Sequence, residues 1–162
     1  MKNIFITVSI LILLSTNSYA AGSSISSSTK VKTNYDKAVT FVKSAKKYEK
    51  KGKSKKANVE YKKALSLLIK SNEKKPNQAD TLNYLGFTTR KLGDYDGGEK
   101  YYLQGLAIEP EHNGINEYLG ELYFVTNRIS LAKERLKVLE SCNCEEYDEL
   151  KEIIIGTKKS KY

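Results

Sequence analysis

The sequence predicts an all-α fold, an α-solenoid of three helix hairpins with a C-terminal capping helix, about seven helices in all. Two observations predict it. Apolar and small residues recur at helical spacing through most of the chain, and the same order of large and small residues returns three times. The chain has two cysteines, too few for a disulfide-stapled scaffold, so helix packing has to form the core.

The clearest hairpin covers residues 79 to 112, with Gly93 at its turn. Its helices contain Gly86, Gly98 and Gly105 at positions that face the partner helix. A glycine weakens a helix interior by about 1 kcal/mol relative to alanine. Three such glycines in one hairpin predict that the two helices cross too closely to admit side chains there.

The order of residues in this hairpin resembles the tetratricopeptide repeat (TPR) family. The signature positions of that family are occupied here by Leu82, Leu85, Gly86, Gly93, Tyr95, Gly98, Tyr102, Gly105 and Pro110. The resemblance extends over residues 36 to 155, and the segments NYLGF and RKLGDYD look like those of small exported bacterial members. It implies a stack of hairpins whose first helices line a concave groove where partners bind.

The same pattern precedes and follows the central hairpin. The first copy, residues 38 to 76, has its proline seven residues late, which predicts a second helix about two turns longer, to about Glu73. The third copy, residues 113 to 144, has Asn127 in place of the turn glycine. Residues 145 to 155 then form an amphipathic helix that covers the open end of the stack.

The first 20 residues are typical of a secretory signal peptide. Lys2 precedes an apolar run over residues 4 to 14, and small residues precede a cut after Ala20. A retained anchor is the alternative, although the run is short for a membrane span. Residues 21 to 35 are predicted to be a flexible leader and residues 156 to 162 a polar tail. We expect a periplasmic protein, with an extracellular destination as the alternative.

Charge is distributed unevenly along the chain. Residues 30 to 75 hold sixteen lysines and four acidic residues, whereas residues 76 to 162 hold eleven basic and fifteen acidic residues. The predicted basic surface consists of Lys43, Lys46, Lys47, Lys50, Lys51, Lys55, Lys56, Lys62 and Lys63. It could dock on anionic lipid, cell-wall polymer or acidic protein. Nucleic acid is the poorest choice, because the protein is exported and this region lacks arginine. The alternative is a solvated face that keeps the chain soluble or pairs with the acidic half of another copy.

The resemblance also implies which side chains line the groove. The candidates are Asn83, Tyr84, Phe87, Arg90, Lys91, Glu117, Tyr118 and Glu121. Exposed aromatic rings beside charges suit an extended peptide, because rings supply contact area and cations bind carboxylates. Alternatively, the aromatic residues simply pack against neighbouring helices. The lysine–asparagine–arginine clamp of chaperone-tail-binding members is absent, since Val42, Tyr84 and Tyr118 occupy three of its positions.

No catalytic motif is present: the sequence has no HExxH, no GxSxG and no phosphate-binding glycine loop. Cys142 and Cys144 are a candidate local disulfide; redox or metal chemistry, reduced thiols and intermolecular bonds are the alternatives. The single histidine, His112, lacks the paired spacing of a metal site. We therefore expect a non-enzymatic module without cofactor or metal that binds a protein or peptide in the groove. The alternative is an electrostatic adaptor that docks its lysines on the cell envelope.

Overall fold

The computed structural model describes residues 32–160, which form seven α-helices and no strand. The helices are α1 (Asn34–Lys50), α2 (Ser54–Lys74), α3 (Ala79–Lys91), α4 (Tyr95–Ile108), α5 (Asn113–Val125), α6 (Ile129–Leu139) and α7 (Glu145–Ile154). The all-α fold class of three hairpins and a last helix is confirmed. The predicted signal peptide, most of the predicted leader and residues 161–162 lie outside the described residues.

The helices form two layers. Consecutive helices pair into the hairpins α1–α2, α3–α4 and α5–α6, and the first helices also contact one another in order, α1 with α3, α3 with α5 and α5 with α7. Among the described residues, α2, α4 and α6 make no contacts of this kind with one another. The first helices and α7 therefore form a continuous inner layer. We call its face that points away from α2, α4 and α6 the groove.

Local hydrogen bonds set the helix ends. Thr33 and Asp36 form a capping box, in which the Asp36 backbone N–H donates to Thr33 Oγ1 at 3.1 Å and the Thr33 N–H donates to Asp36 Oδ2 at 2.9 Å. This box starts α1 at Asn34, so the predicted leader is wrong for residues 34 and 35, which are helical. Gly93 (φ 99°) and Asn127 (φ 62°) adopt the left-handed conformation at the predicted turns.

The glycines of the central hairpin allow close helix crossing, as predicted. A Cβ atom on Gly86 would lie 2.5 Å from the Tyr102 ring, and one on Gly98 would lie 3.0 Å from the Gly86 carbonyl oxygen. A Cβ atom on Gly105 would overlap the side chain of Ile115. The absence of side chains at these positions therefore fixes the spacing of α3 and α4 and, through Ile115, of α4 and α5.

The core lies between the two layers. One cluster joins α1, α2 and α3 around Tyr61 and Leu68, and a second joins α4, α5 and α6 around Tyr102 and Leu122. On α7, Leu150 and Ile153 are fully buried, so this helix covers the end of the stack. Between residues 32 and 160, no helix is long and apolar enough to cross a membrane.

Candidate peptide-binding groove

Two clefts lie next to each other along the groove. The central cleft, of about 490 Å³, is formed by the starts of α1, α3, α5 and α7 and by the α4–α5 loop. The second cleft, of about 250 Å³, lies between α1, α5 and α7. Glu146 lines both clefts, so they are adjacent. Each first helix and α7 thus contribute side chains to one row of clefts.

Four of the predicted groove residues line these clefts. Asn83 and Tyr84 line the central cleft, and Glu117 and Tyr118 line the second. Tyr84 also packs edge-on against Tyr35 of α1, with ring centres 5.7 Å apart. The groove combines aromatic and polar side chains, as the sequence predicts, but the binding role of these residues stays a prediction.

Three other predicted groove residues are buried beneath this surface. Phe87, Arg90 and Glu121 are exposed by only 2%, 1% and 0%, respectively. The expectation that they are accessible to a ligand is therefore wrong. The physical reason is that α3 contacts both α1 and α5, so positions that point toward a neighbouring first helix are covered by it.

Arg90 joins α3 to α5 through a buried polar network. Its guanidinium donates to the Tyr118 carbonyl oxygen at 2.6 Å and to Glu121 Oε2 at 3.3 Å, and both ion-pair side chains are fully buried. Burial lowers the pKa of Arg90 from its usual value, while Tyr102 and Glu121 oppose this shift. Arg90 thus connects two hairpins and is not available to a ligand.

Two further lysines, one predicted for the groove and one for the basic surface, also interact with side chains of the protein. Lys91 forms an ion pair with Glu49 of α1 at 2.6 Å. Lys46 is half-buried, with its ammonium 4.5 Å from the centre of the Phe87 ring and 3.2 Å from the Tyr118 hydroxyl. The assignment of Lys46 to the basic surface is therefore wrong, because Lys46 lies in the groove. The other eight lysines of the basic surface are exposed.

Comparisons with known proteins identify similar solved structures. The first TPR of Spaghetti (RPAP3), bound to the HSP90 peptide SRMEEVD, is 20% identical and has a TM-score of 0.53; the match covers 78% of this chain and 98% of that chain. The NMR structure of the first TPR domain of the human RPAP3 protein is 21% identical, with a TM-score of 0.54 and the same coverage. The chain has a TPR-like fold. No family model and no curated protein matches it.

The TPR-like stack brings together charged residues that the sequence reasoning missed. Asp80, Glu109, Glu111 and Glu146 all line the central cleft. Each lies in the loop before an inner-layer helix or in its first turn. An alignment of the repeat starts groups them, whereas helical periodicity indicates only the packing faces in the middle of each helix.

His112 has a structural role at the edge of the central cleft. Its Nδ1 accepts the Ile115 backbone N–H at 3.2 Å and caps α5. Nε2 lies 3.2 Å from Asp80 Oδ1, and in the neutral tautomer it carries the hydrogen and donates to that carboxylate. Within residues 32–160, no group of three or more His, Cys, Asp or Glu residues is placed to hold a metal ion.

Cys142 and Cys144 are joined by a disulfide in the connection between α6 and α7, with their Cα atoms 5.2 Å apart. This is the local bond that the sequence analysis considered. It closes the segment that leads into α7, the helix whose first turn supplies Glu145 and Glu146 to the second cleft. The disulfide thus lies directly beside the groove.

A larger cleft, of about 580 Å³, adjoins the groove where α1 starts beside the end of α2. Lys32, Lys74 and Lys75 line it together with Asp80 and Glu109. Its charges are therefore mixed, in contrast to the acidic central cleft. The sequence does not predict this cleft, because it forms only where the end of α2 lies beside the starts of α1 and α3.

The buried tyrosine Tyr102 gives a pH-dependent prediction. Burial raises the pKa of Tyr102 well above its usual value of about 10, and its hydroxyl makes no hydrogen bond to the described residues. A raised phenol pKa contributes stability that is present below the unfolded-state pKa and is lost as the pH rises above about 10. We expect Tyr102→Phe to unfold at higher pH than the parent and, since it removes an unsatisfied buried hydroxyl, to gain about 1 kcal/mol at neutral pH.

Urea unfolding followed by circular dichroism at neutral and alkaline pH measures both effects. A Tyr95→Phe variant, at an exposed position of the same helix, is the matched control. It should change neither the stability at neutral pH nor the pH at which the protein unfolds. A Tyr102→Phe variant that is less stable than the parent at neutral pH would contradict the prediction.

Proposed function

We propose that this TPR-like protein is a non-enzymatic interaction module that binds an extended peptide or a segment of a partner protein in the groove. The observation that carries the proposal is the row of adjacent clefts, to which every first helix and α7 contribute side chains. The peptide bound to the first TPR of Spaghetti supports this use of the fold.

The form of the groove favours an extended ligand. In an extended chain, successive side chains on one face are about 6.6 Å apart, so two neighbouring clefts can receive two side chains of one segment. Tyr84 and Tyr118 are half-buried and offer aromatic surface at the two positions. Aromatic anchors of this kind supply contact area at low entropic cost.

Site-specific photo-crosslinking in cells tests the proposal. A photoreactive residue at Glu111, beside the central cleft, should crosslink to a discrete partner, whereas the same residue at exposed Leu103 of α4 should not. Tyr84→Ala should remove the crosslink without loss of helicity, and Tyr95→Ala serves as the matched tyrosine truncation outside the groove. Equal crosslinking at Glu111 and Leu103 would refute binding in the groove.

We also propose that the protein is exported to the periplasm, as one of the small exported bacterial proteins with this fold. The support is the signal-peptide pattern of residues 1 to 20, which lie outside the described residues, and the bonded pair Cys142 and Cys144. Disulfides persist in oxidising compartments and are rare in the cytosol.

A second candidate function is docking of the basic surface on anionic lipid or cell-wall polymer. The exposure of its eight lysines other than Lys46 is the observation that favours it. Such binding would weaken with added salt, because exposed charges are screened over about 10 Å at 0.1 M ionic strength. None of these eight lysines lines the two groove clefts, so the two functions do not compete for the same residues.

A further inference from the structure

The central cleft is acidic. Four carboxylates line it, from Asp80, Glu109, Glu111 and Glu146, and no lysine or arginine of the described chain is among its lining residues. Asp80 is engaged by His112, but the three glutamates have no ion-pair partner within residues 32–160. Carboxylates grouped on concave walls focus a negative potential into the cleft, which attracts cations.

Asn83 provides a second and independent indication of a ligand. The residue is buried, with 8% of its surface exposed, and it lines the central cleft. Its Oδ1 is buried and has no hydrogen-bond partner within residues 32–160. An unsatisfied buried acceptor is unfavourable in the free protein. Because Asn83 lines the cleft, a rotation of its side chain would bring Oδ1 to a donor that enters there. An acceptor of this kind selects a donor group such as an ammonium, a guanidinium or a backbone N–H.

The walls of the cleft suit a long cationic side chain. Tyr35 and Tyr84 pack edge-on and both line the cleft. Tyrosine rings contact the aliphatic part of a lysine or the plane of an arginine, and their faces attract the cation. The cleft therefore combines an apolar wall, a hydrogen-bond acceptor and a surplus of negative charge.

We propose that the groove recognises an extended segment of a partner protein that carries lysine or arginine, and that one such side chain enters the central cleft and donates to Asn83 Oδ1. This inference rests on the proposed function and specifies its ligand. It is opposite in charge to the acidic peptide SRMEEVD in the first TPR of Spaghetti. In the adjacent second cleft, the exposed Glu145 extends the negative surface beyond Lys46.

The test begins with selection from a displayed library of random peptides of about ten residues, long enough in extended form to cover both clefts. The purified protein is the bait, and enriched peptides are resynthesised for affinity measurement. We expect enrichment of peptides with lysine or arginine. We also expect replacement of the key lysine by acetyl-lysine, which keeps the stem and removes the charge, to weaken binding about tenfold or more.

Variants of the protein show whether the central cleft is responsible for binding the basic peptides. The triple variant Glu109→Gln, Glu111→Gln, Glu146→Gln should weaken the selected peptides about tenfold, and Asn83→Leu should weaken them as well. The matched control is Glu73→Gln, Glu134→Gln, Glu140→Gln, which removes the same charge at positions outside the groove clefts. Binding by the control should change less than threefold, about 0.7 kcal/mol. Equal losses in both triple variants would show diffuse attraction and overturn the proposal.

The outcomes separate this inference from the proposed function. Enrichment of neutral or acidic peptides whose binding requires Tyr84 would overturn the basic-ligand inference and leave the groove function standing. A library that yields no binder above background would contradict both. A second copy of the chain is the remaining candidate ligand, and sedimentation analysis tests it. If the protein self-associates, binds no peptide and loses its self-association in the triple variant of Glu109, Glu111 and Glu146, the groove binds a second copy and the proposal is overturned.

Discussion

Replacing Arg90 with alanine is expected to lower the free energy of unfolding by about 3 to 5 kcal/mol. The reason is that Arg90 and Glu121 form a fully buried ion pair across α3 and α5, and that Arg90 also donates to the Tyr118 carbonyl oxygen. Without the guanidinium, the Glu121 carboxylate would remain buried with no cationic partner in the place of Arg90. Urea unfolding followed by circular dichroism measures the change.

Arg128→Ala is the matched control, because Arg128 also forms a double hydrogen bond with a glutamate of the preceding hairpin, Glu99, at 2.9 and 2.7 Å. Its side chain is 36% exposed and that of Glu99 19%, so we expect a loss of at most about 1 kcal/mol. The double change Arg90→Met with Glu121→Leu should recover most of the lost stability. Equal effects of Arg90→Ala and Arg128→Ala would contradict this account of Arg90.

This prediction changes how the groove should be tested. Tyr84 and Arg90 are both groove candidates from the sequence, so alanine at either position would be a natural test of binding. The structure makes Arg90 unsuitable, because it is buried in an ion pair with Glu121 and its loss is expected to destabilise the fold. A binding defect of an Arg90 variant would therefore report on folding, and Tyr84 is the better probe.

Gly86→Ala is expected to lower the free energy of unfolding by about 1 to 3 kcal/mol, even though alanine forms helices better than glycine by about 1 kcal/mol. The new Cβ atom would lie 2.5 Å from the ring of Tyr102, which is fully buried. The ring and α4 must shift to relieve the overlap. Urea unfolding again measures the change.

A double-mutant cycle with Tyr102→Leu isolates this contact. Leucine lacks the ε and ζ ring atoms, two of the three that the new Cβ atom would meet, so Gly86→Ala should cost less stability in the Tyr102→Leu background than in the parent. Gly120→Ala is a useful comparison, because its nearest neighbours are the methyl ends of Leu150, which can rotate, and not a ring. Independent effects of the Gly86 and Tyr102 changes would rule out the steric explanation.

The periodic part of the fold could be predicted from the sequence. Leu82, Leu85 and Gly86 recur at the helical period, and the same order returns in each hairpin, so the number of helices and the closely packed glycines follow. The late proline likewise predicts the long α2, which ends at Lys74. These features are local because they depend on the spacing of residues within one helix or one turn.

The groove required the tertiary structure. Periodicity places Arg90 and Asn83 on the first helix of the central hairpin, but only the contact with α5 decides that Arg90 is buried in an ion pair with Glu121. Asp80, Glu111 and Glu146 are far apart in sequence and belong to three different segments, and the stacking of the inner layer brings them to one cleft. The sequence by itself determined the helices and their packing faces, because these follow from local spacing. The tertiary structure decided which polar side chains remain accessible and which charges converge, because both depend on the neighbouring helix.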